Sequence, residues 1–193
     1  MASRPLELSE YSRIIELMLN GFTYDGNKIF RKNPQIGLCL QLQSSLGLRI
    51  GDVLDLRVNS FRNGKLELRE EKTDKLQYRD INKNVYDYIK DYAIDNKLGQ
   101  SDKLFDITDK AVHKQLKIIT RYLGLNNIST HSFRKMYACT VYERSQNNIE
   151  LVKELLNHTS IATTQRYIRV SQQEINKASA SMDFISTTTD QTE

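Results

Sequence analysis

Apolar and polar positions along this chain recur with two different periods. In "LSEYSRIIELMLNG" the spacing is helical: Ile14, Ile15, Met18 and Leu19 share a face, Ser9 is placed to cap the start, and Gly21 ends the run. "TYDGNKIFRKN" breaks the pattern and reads as a loop. Asn33-Pro34 opens a second helix, "PQIGLCLQLQSSLG", with proline at the first helical position and Gly47 at the end. "RIGDVLDL" reads as a short further helix. The period then drops to two. "GKLELRE" puts Leu66 and Leu68 on one side, and "LQYRDIN" puts Leu76, Tyr78 and Asp80 on one face. With the polar turn "EKTDK" between them, these segments predict a β-hairpin or small sheet. Helical spacing returns in "KNVYDYIKDYAIDN" and "DKAVHKQLKIITRYLG", and again in two or three helices between His131 and Ile168. "SQQEINKASASM" predicts a last amphipathic helix over 171–182, and "STTTDQTE" has nothing to bury and is expected to be disordered.

This pattern predicts a fold that is mainly α with a small antiparallel β-sheet, an α+β chain without internal repeats. A length of 193 residues, 39% of them hydrophobic, suits one domain over 1–183 followed by a polar tail over 184–193. No apolar run is long enough to span a bilayer, and the N-terminus lacks the apolar stretch of a signal peptide, so the cytoplasm is the expected location. Cys39 and Cys139 both fall in helical patterns and are expected as buried free thiols. No metal-binding spacing of Cys or His occurs, and neither metal nor cofactor is expected. A net charge of +4 and a pI near 9.0 permit a polyanionic partner without demanding one.

The candidate chemistry lies in four places. In "HSFRK", His131 and Arg134 are three apart and face the same side of a helix that Ser129 or Thr130 can cap. The free N–H groups of a helix start suit a phosphate, although a surface helix with a basic first turn gives the same pattern. Arg49 follows the helix end at Gly47, and Asp52, three residues on, can hold its guanidinium for bidentate phosphate contact or simply form a surface ion pair. Lys72 and Lys75 lie in the hairpin turn, free to swing toward a ligand or to stay solvated. In "LLNHTSIATTQRYIRV", His158 closes one helix and Tyr167 falls near the end of the next.

Together these residues fit phosphodiester cleavage by a tyrosine hydroxyl. Arg49, Arg134 and His158 would neutralise the phosphate. Free tyrosine titrates at about 10, so a group must take its proton, and His131 titrates nearer neutrality. A hairpin lysine would protonate the leaving 5′-oxygen. The cationic cluster would do the electrostatic work that a metal ion does elsewhere.

In this order, "LGLRIGDVLDL", "HSFRK" and "LLNHTSIATTQRY" resemble the tyrosine recombinase (phage integrase) family. That family's pattern is an arginine with an acid three residues on, then H-x-x-R, then Leu-Gly-His, then a tyrosine nine residues after that histidine, and the spacings match here. One departure is Asn157 where glycine is usual, and asparagine tolerates left-handed backbone. The resemblance covers roughly residues 5–183 and implies the catalytic-domain fold of DNA breaking-rejoining enzymes. It implies that Arg49 and Arg134 clamp the phosphate, with Asp52 supporting Arg49. Lys72, rather than Lys75, would be the general acid, because Lys72-Thr73 sits where the family's turn lysine does. His131 would be the acid/base, His158 a phosphate contact, and Tyr167 the nucleophile of a 3′-phosphotyrosyl link.

The implied function is site-specific recombination of double-stranded DNA, in the integration or excision of a phage or other mobile element, by a bacterial or phage-encoded protein. Rejoining would need no ATP, because the ester keeps the bond energy. The resemblance also implies dimers or tetramers on DNA, with the 171–182 helix packing into a neighbour or folding back. The core-binding domain usual before this unit is expected to be absent, so DNA binding should be weak and salt-sensitive. Alternatives are a type IB topoisomerase and a catalysis-deficient DNA-binding regulator of the same fold. A helical interaction module, the reading outside the resemblance, predicts that Arg49, His131, Arg134, His158 and Tyr167 do not converge.

Overall fold

The computed structural model describes residues 3–168, 176 and 179–182. The helix expected over 171–182 falls mostly outside the described residues, and the tail over 184–193 wholly outside them. Among the described residues no helix is long and apolar enough to cross a membrane.

Helix α1 (Leu8–Asn20) does not start on Ser9 as expected. Glu7 and Glu10 form a reciprocal capping box, in which the Glu10 carboxylate accepts the Glu7 N–H at 3.0 Å and is itself held by Arg4 at 2.5 Å. Carboxylates at a helix start bond its free N–H groups and favour its dipole, which leaves Ser9 inside the first turn. The segment expected as a loop is a hairpin, β1 (Phe22–Tyr24) against β2 (Lys28–Phe30). Asp25 and Gly26 take the left-handed conformation at the turn, at φ 46 and 82. Phe22 stacks on Phe30 at 5.0 Å and leans on Tyr122 at 4.4 Å, so aromatic packing holds a ribbon too short to show a period.

Helix α2 (Pro34–Leu46) starts as expected, with the Asn33 side chain accepting the Ile36 N–H at 3.1 Å, and ends at Gly47 with φ 63. It buries Ile36, Leu38, Cys39, Leu40, Leu42 and Leu46, which lie on all its sides, so it is the central helix rather than a surface one. The short α3 (Ile50–Leu54) follows. A second antiparallel sheet, ordered β3-β4-β5, then forms from β3 (Phe61–Arg62), β4 (Lys65–Arg69) and β5 (Leu76–Asp80). The pattern predicted one small sheet from its last two strands, whereas the described residues form two sheets. Leu66 and Leu68 face the core, while Leu76, Tyr78 and Asp80 share the outer face.

Helices α4 (Lys83–Asp95) and α5 (Asp109–Tyr122) lead to α6 (Thr130–Arg144), capped by Ser129. Two short helices, α7 (Ile149–Leu155) and α8 (Ile161–Gln165), complete the described elements. The main core runs through α1, α2, α5 and α6, with Ile14, Met18, Ile36, Leu116, Ile119 and Phe133 almost fully buried. Burying one such side chain is worth about 1.5–3 kcal/mol. A separate small cluster of Ala138, Val152 and Leu156 packs α7 on α6, and Tyr167 and Ile168 rest on it. Both cysteines are free, as expected, and Cys39 is buried while Cys139 is half-buried. Burial pushes their thiols up, to about 12 and about 11.

Candidate active site

The site forms where the ends of α2 and α7 meet the start of α6. Its centre is Arg134, 1% exposed, and a buried arginine needs partners for its donors. Arg134 donates to the Gly47 carbonyl at 2.8 Å and to the Leu156 carbonyl at 2.7 Å, which ties both helix ends to α6. Gly47 permits this approach. It holds φ 63, and a β-carbon there would lie 2.3 Å from the Tyr137 ring.

His158 lies 3.3 Å from Arg134, Nε2 to Nη2, and its Nδ1 lies 3.0 Å from the Thr164 hydroxyl. A guanidinium only donates, so Nε2 accepts and the ring proton sits on Nδ1, donated to Thr164. Burial, then the charges of Arg134 and Arg49, lower the imidazole to about 4 and leave it neutral. Asn157, before it, holds φ 56, so asparagine supplies the left-handed backbone for which glycine is usual.

Tyr167 lies just past the end of α8 rather than within a helix. Its ring meets the His158 ring edge-on at 5.0 Å, and the Lys135 ammonium lies 5.3 Å from its centroid. The Cys139 thiol donates to the Tyr167 carbonyl at 3.4 Å. His131 sits on the first turn of α6 and reaches solvent. Partial burial, then the charges of Arg134, Lys135 and Arg49, hold it below its ordinary range, so it too is neutral near pH 7. Arg134, His158 and Tyr167 are in contact, and Arg49 and His131 lie within electrostatic reach of them, contrary to what the interaction-module reading expects.

Arg49 keeps the expected acidic neighbour but has a closer one. Asp52 lies 3.8 Å from it and spends one oxygen on the Glu71 N–H at 3.0 Å. The close partner is Glu70, at 2.5 Å, a residue the sequence reading did not single out. Glu70 also accepts from the Thr73 hydroxyl at 2.6 Å and from Gln77 at 2.9 Å. Burial works to raise its pKa, but these bonds and Arg49 outweigh it and hold the carboxyl below its ordinary value. For Asp52 the balance goes the other way, and burial raises it.

Arg79 on β5 was also not anticipated. It donates to the Leu155 carbonyl at 2.9 Å and to the Leu46 carbonyl, and lies over the Tyr137 ring at 5.9 Å. Gln43, fully buried in α2, joins the same frame: with its amide oriented to satisfy both ends, it donates to the Thr130 carbonyl at 3.1 Å and accepts the Ile50 N–H at 3.3 Å. Lys72 and Lys75 are both exposed on the turn after β4, and the charge of Lys75 reaches His158. Among the described residues no cluster of three or more His, Cys, Asp or Glu could hold a metal ion.

A mainly helical domain whose cations and tyrosine gather at the junction of α2, α6 and α7 has the catalytic-domain fold of the tyrosine recombinases. The catalytic domain of bacteriophage HP1 integrase matches with a TM-score of 0.65 at 18% identity, over 92% of this chain and 94% of that one. The XerH recombinase in its post-cleavage complex matches with a TM-score of 0.70 at 21% identity, over 91% of this chain and 52% of that one. The model of the phage integrase family matches residues 6–174, and the chain belongs to that family. A probable integrase/recombinase of Bacillus subtilis, YoeC, is 31% identical over 131 residues, 65% of this chain and 72% of that protein. Phage and archaeal relatives are matched over about half of their own length, 47% and 52%.

Proposed function

We propose that this chain is the catalytic unit, over 1–183, of a site-specific DNA recombinase that cuts and rejoins strands through a 3′-phosphotyrosyl intermediate. The observation that carries the reading is the line of contacts from Arg134 to His158 (3.3 Å) and on to the Tyr167 ring (5.0 Å), within reach of the Arg49 charge. Arg49 and Arg134 bind the phosphate, and His158 contacts it in the tautomer that carries its proton on Nε2, which a phosphate oxygen favours. Neutral His131 takes the Tyr167 proton, and the tyrosine oxygen attacks phosphorus. The turn lysine gives a proton to the 5′-oxygen as its bond to phosphorus breaks. Lys72 is the donor by its place in the motif, and Lys75 is the alternative, because its charge reaches His158. The clustered cations supply the charge stabilisation, so the chemistry calls for no metal or cofactor.

The substrate is double-stranded DNA. Solved relatives support this, among them XerH bound to its difH substrate and a lambda integrase tetramer bound to a Holliday junction. The working assembly is a dimer or tetramer on DNA in the cytoplasm, coupled through the segment 171–182. The biological step is integration or excision of a mobile element. The test is to incubate the protein with nicked duplexes made from the DNA flanking its gene. A detergent-resistant protein–DNA adduct, lost in Arg134→Ala, is expected. Binding without adduct on every duplex would favour a regulator, and relaxation of plasmid without sequence preference a topoisomerase.

A further inference from the structure

Glu70 ties the phosphate-clamping arginine to the lysine-bearing turn. Its side chain is fully buried in its pair with Arg49. Its carboxylate meets Arg49 at 2.5 Å, Thr73 at 2.6 Å and Gln77 at 2.9 Å. Its backbone closes the same turn at both ends: the Glu70 N–H donates to the Lys75 carbonyl at 3.0 Å, and the Glu70 carbonyl accepts the Asp74 N–H at 2.9 Å. Asp74 is held there in the left-handed conformation at φ 53. A buried carboxylate is tolerated only while its oxygens are bonded, so Arg49 and the turn are fixed by one group or loosened together.

We infer that Glu70 is a positioning residue that sets Arg49 and the turn of residues 71–75 as one unit, so that the phosphate clamp and the proton-donating lysine reach their working places together. The inference rests on the recombinase reading above. It makes a specific demand on the leaving group. With a normal substrate the P–O5′ bond breaks and the oxygen must take a proton from the lysine. With sulfur at that bridging position the P–S5′ bond breaks and a thiolate leaves, needing no proton donor because thiols titrate near about 8.5. A misplaced lysine therefore slows the oxygen substrate far more than the sulfur one, whereas a general loss of structure slows both equally.

The experiment measures single-turnover adduct formation on nicked duplexes carrying bridging oxygen or sulfur, by the wild-type chain, Glu70→Ala and Thr73→Val. Glu70→Ala is expected to lose about tenfold more rate on oxygen than on sulfur, and Thr73→Val about threefold more, as for a displaced general acid. Equal losses on the two substrates, or no loss, would overturn the inference. Thr73→Val removes no buried charge and carries the test if Glu70→Ala does not fold. Amide hydrogen exchange without DNA gives a second readout, expected to accelerate across residues 71–75 in both variants. Unchanged exchange there would also overturn the coupling. Failure of the wild type to form adduct with either substrate would count against the recombinase reading, and the exchange rates would still decide the role of Glu70.

Discussion

Arg79 and Arg134 hold adjacent carbonyls in the same two chain segments. Arg134 takes those of Gly47 and Leu156, and Arg79 those of Leu46 and Leu155. The two guanidinium groups staple the ends of α2 and α7, just before Arg49 on one side and His158 on the other. Arg134 is the one that faces the substrate in the proposed mechanism, and Arg79 braces the frame behind it. Arg79→Met is expected to cost about 2–3 kcal/mol of stability, the scale for charge-assisted hydrogen bonds to groups left buried. It should slow adduct formation more than it weakens DNA binding, and Arg79→Lys should recover part of both. Urea unfolding with binding and single-turnover assays checks this, and an unchanged unfolding midpoint would contradict it.

Gly47 couples backbone to site. Alanine there would keep φ near 63 and push a methyl group to 2.3 Å from the Tyr137 ring. Strain and overpacking together are expected to cost about 2–4 kcal/mol. Pairing Gly47→Ala with Tyr137→Ala should return part of the stability lost to the clash, since the two residues touch. Strict additivity in thermal or urea unfolding would show that the ring is not the obstacle.

His158 makes the fold sensitive to acid. It is held at about 4 in the folded chain against an ordinary 6.5. Between those values the unfolded chain binds a proton that the folded chain does not, so stability falls as the pH drops. The contribution is fully present above about pH 6.5 and exhausted near pH 4. Its size is on the order of 3 kcal/mol at most. His131, also lowered, adds in the same direction. Stability of wild type and His158→Asn, followed between pH 7 and pH 4 by urea unfolding, should show a shallower acid slope in the variant. Identical slopes would mean that His158 does not carry the effect.

Much of this was legible in the sequence, because it depends on local rules. Pro34, Gly47 and Ser129 mark helix ends by backbone chemistry that needs no tertiary context, and Asn157 takes the left-handed backbone its residue type allows. The spacing of His131, Arg134, His158 and Tyr167 fixes their places on successive elements. What stayed hidden depends on pairs distant in sequence. In "ELREEKTDK" Glu70 is one acid among several, and only the folding of the turn onto Arg49, 21 residues earlier, singles it out. Arg79 alternates with the apolar Leu76 and Tyr78, a pattern that would turn it outward, and only the fold shows those two facing solvent and Arg79 reaching two helix ends. The hairpin of β1 and β2 did have a signal, Asp25-Gly26, but three-residue strands carry no readable period.

In the proposed mechanism Tyr167 is the group that joins DNA, at the site made by Arg49, His131, Arg134 and His158. The most direct measurement traps the adduct on a nicked duplex, digests the protein and locates the nucleotide-bearing residue by mass spectrometry. The modification is expected on Tyr167, with no adduct from a folded Tyr167→Phe variant. An adduct mapped to any other residue, or formed equally by Tyr167→Phe, would contradict it.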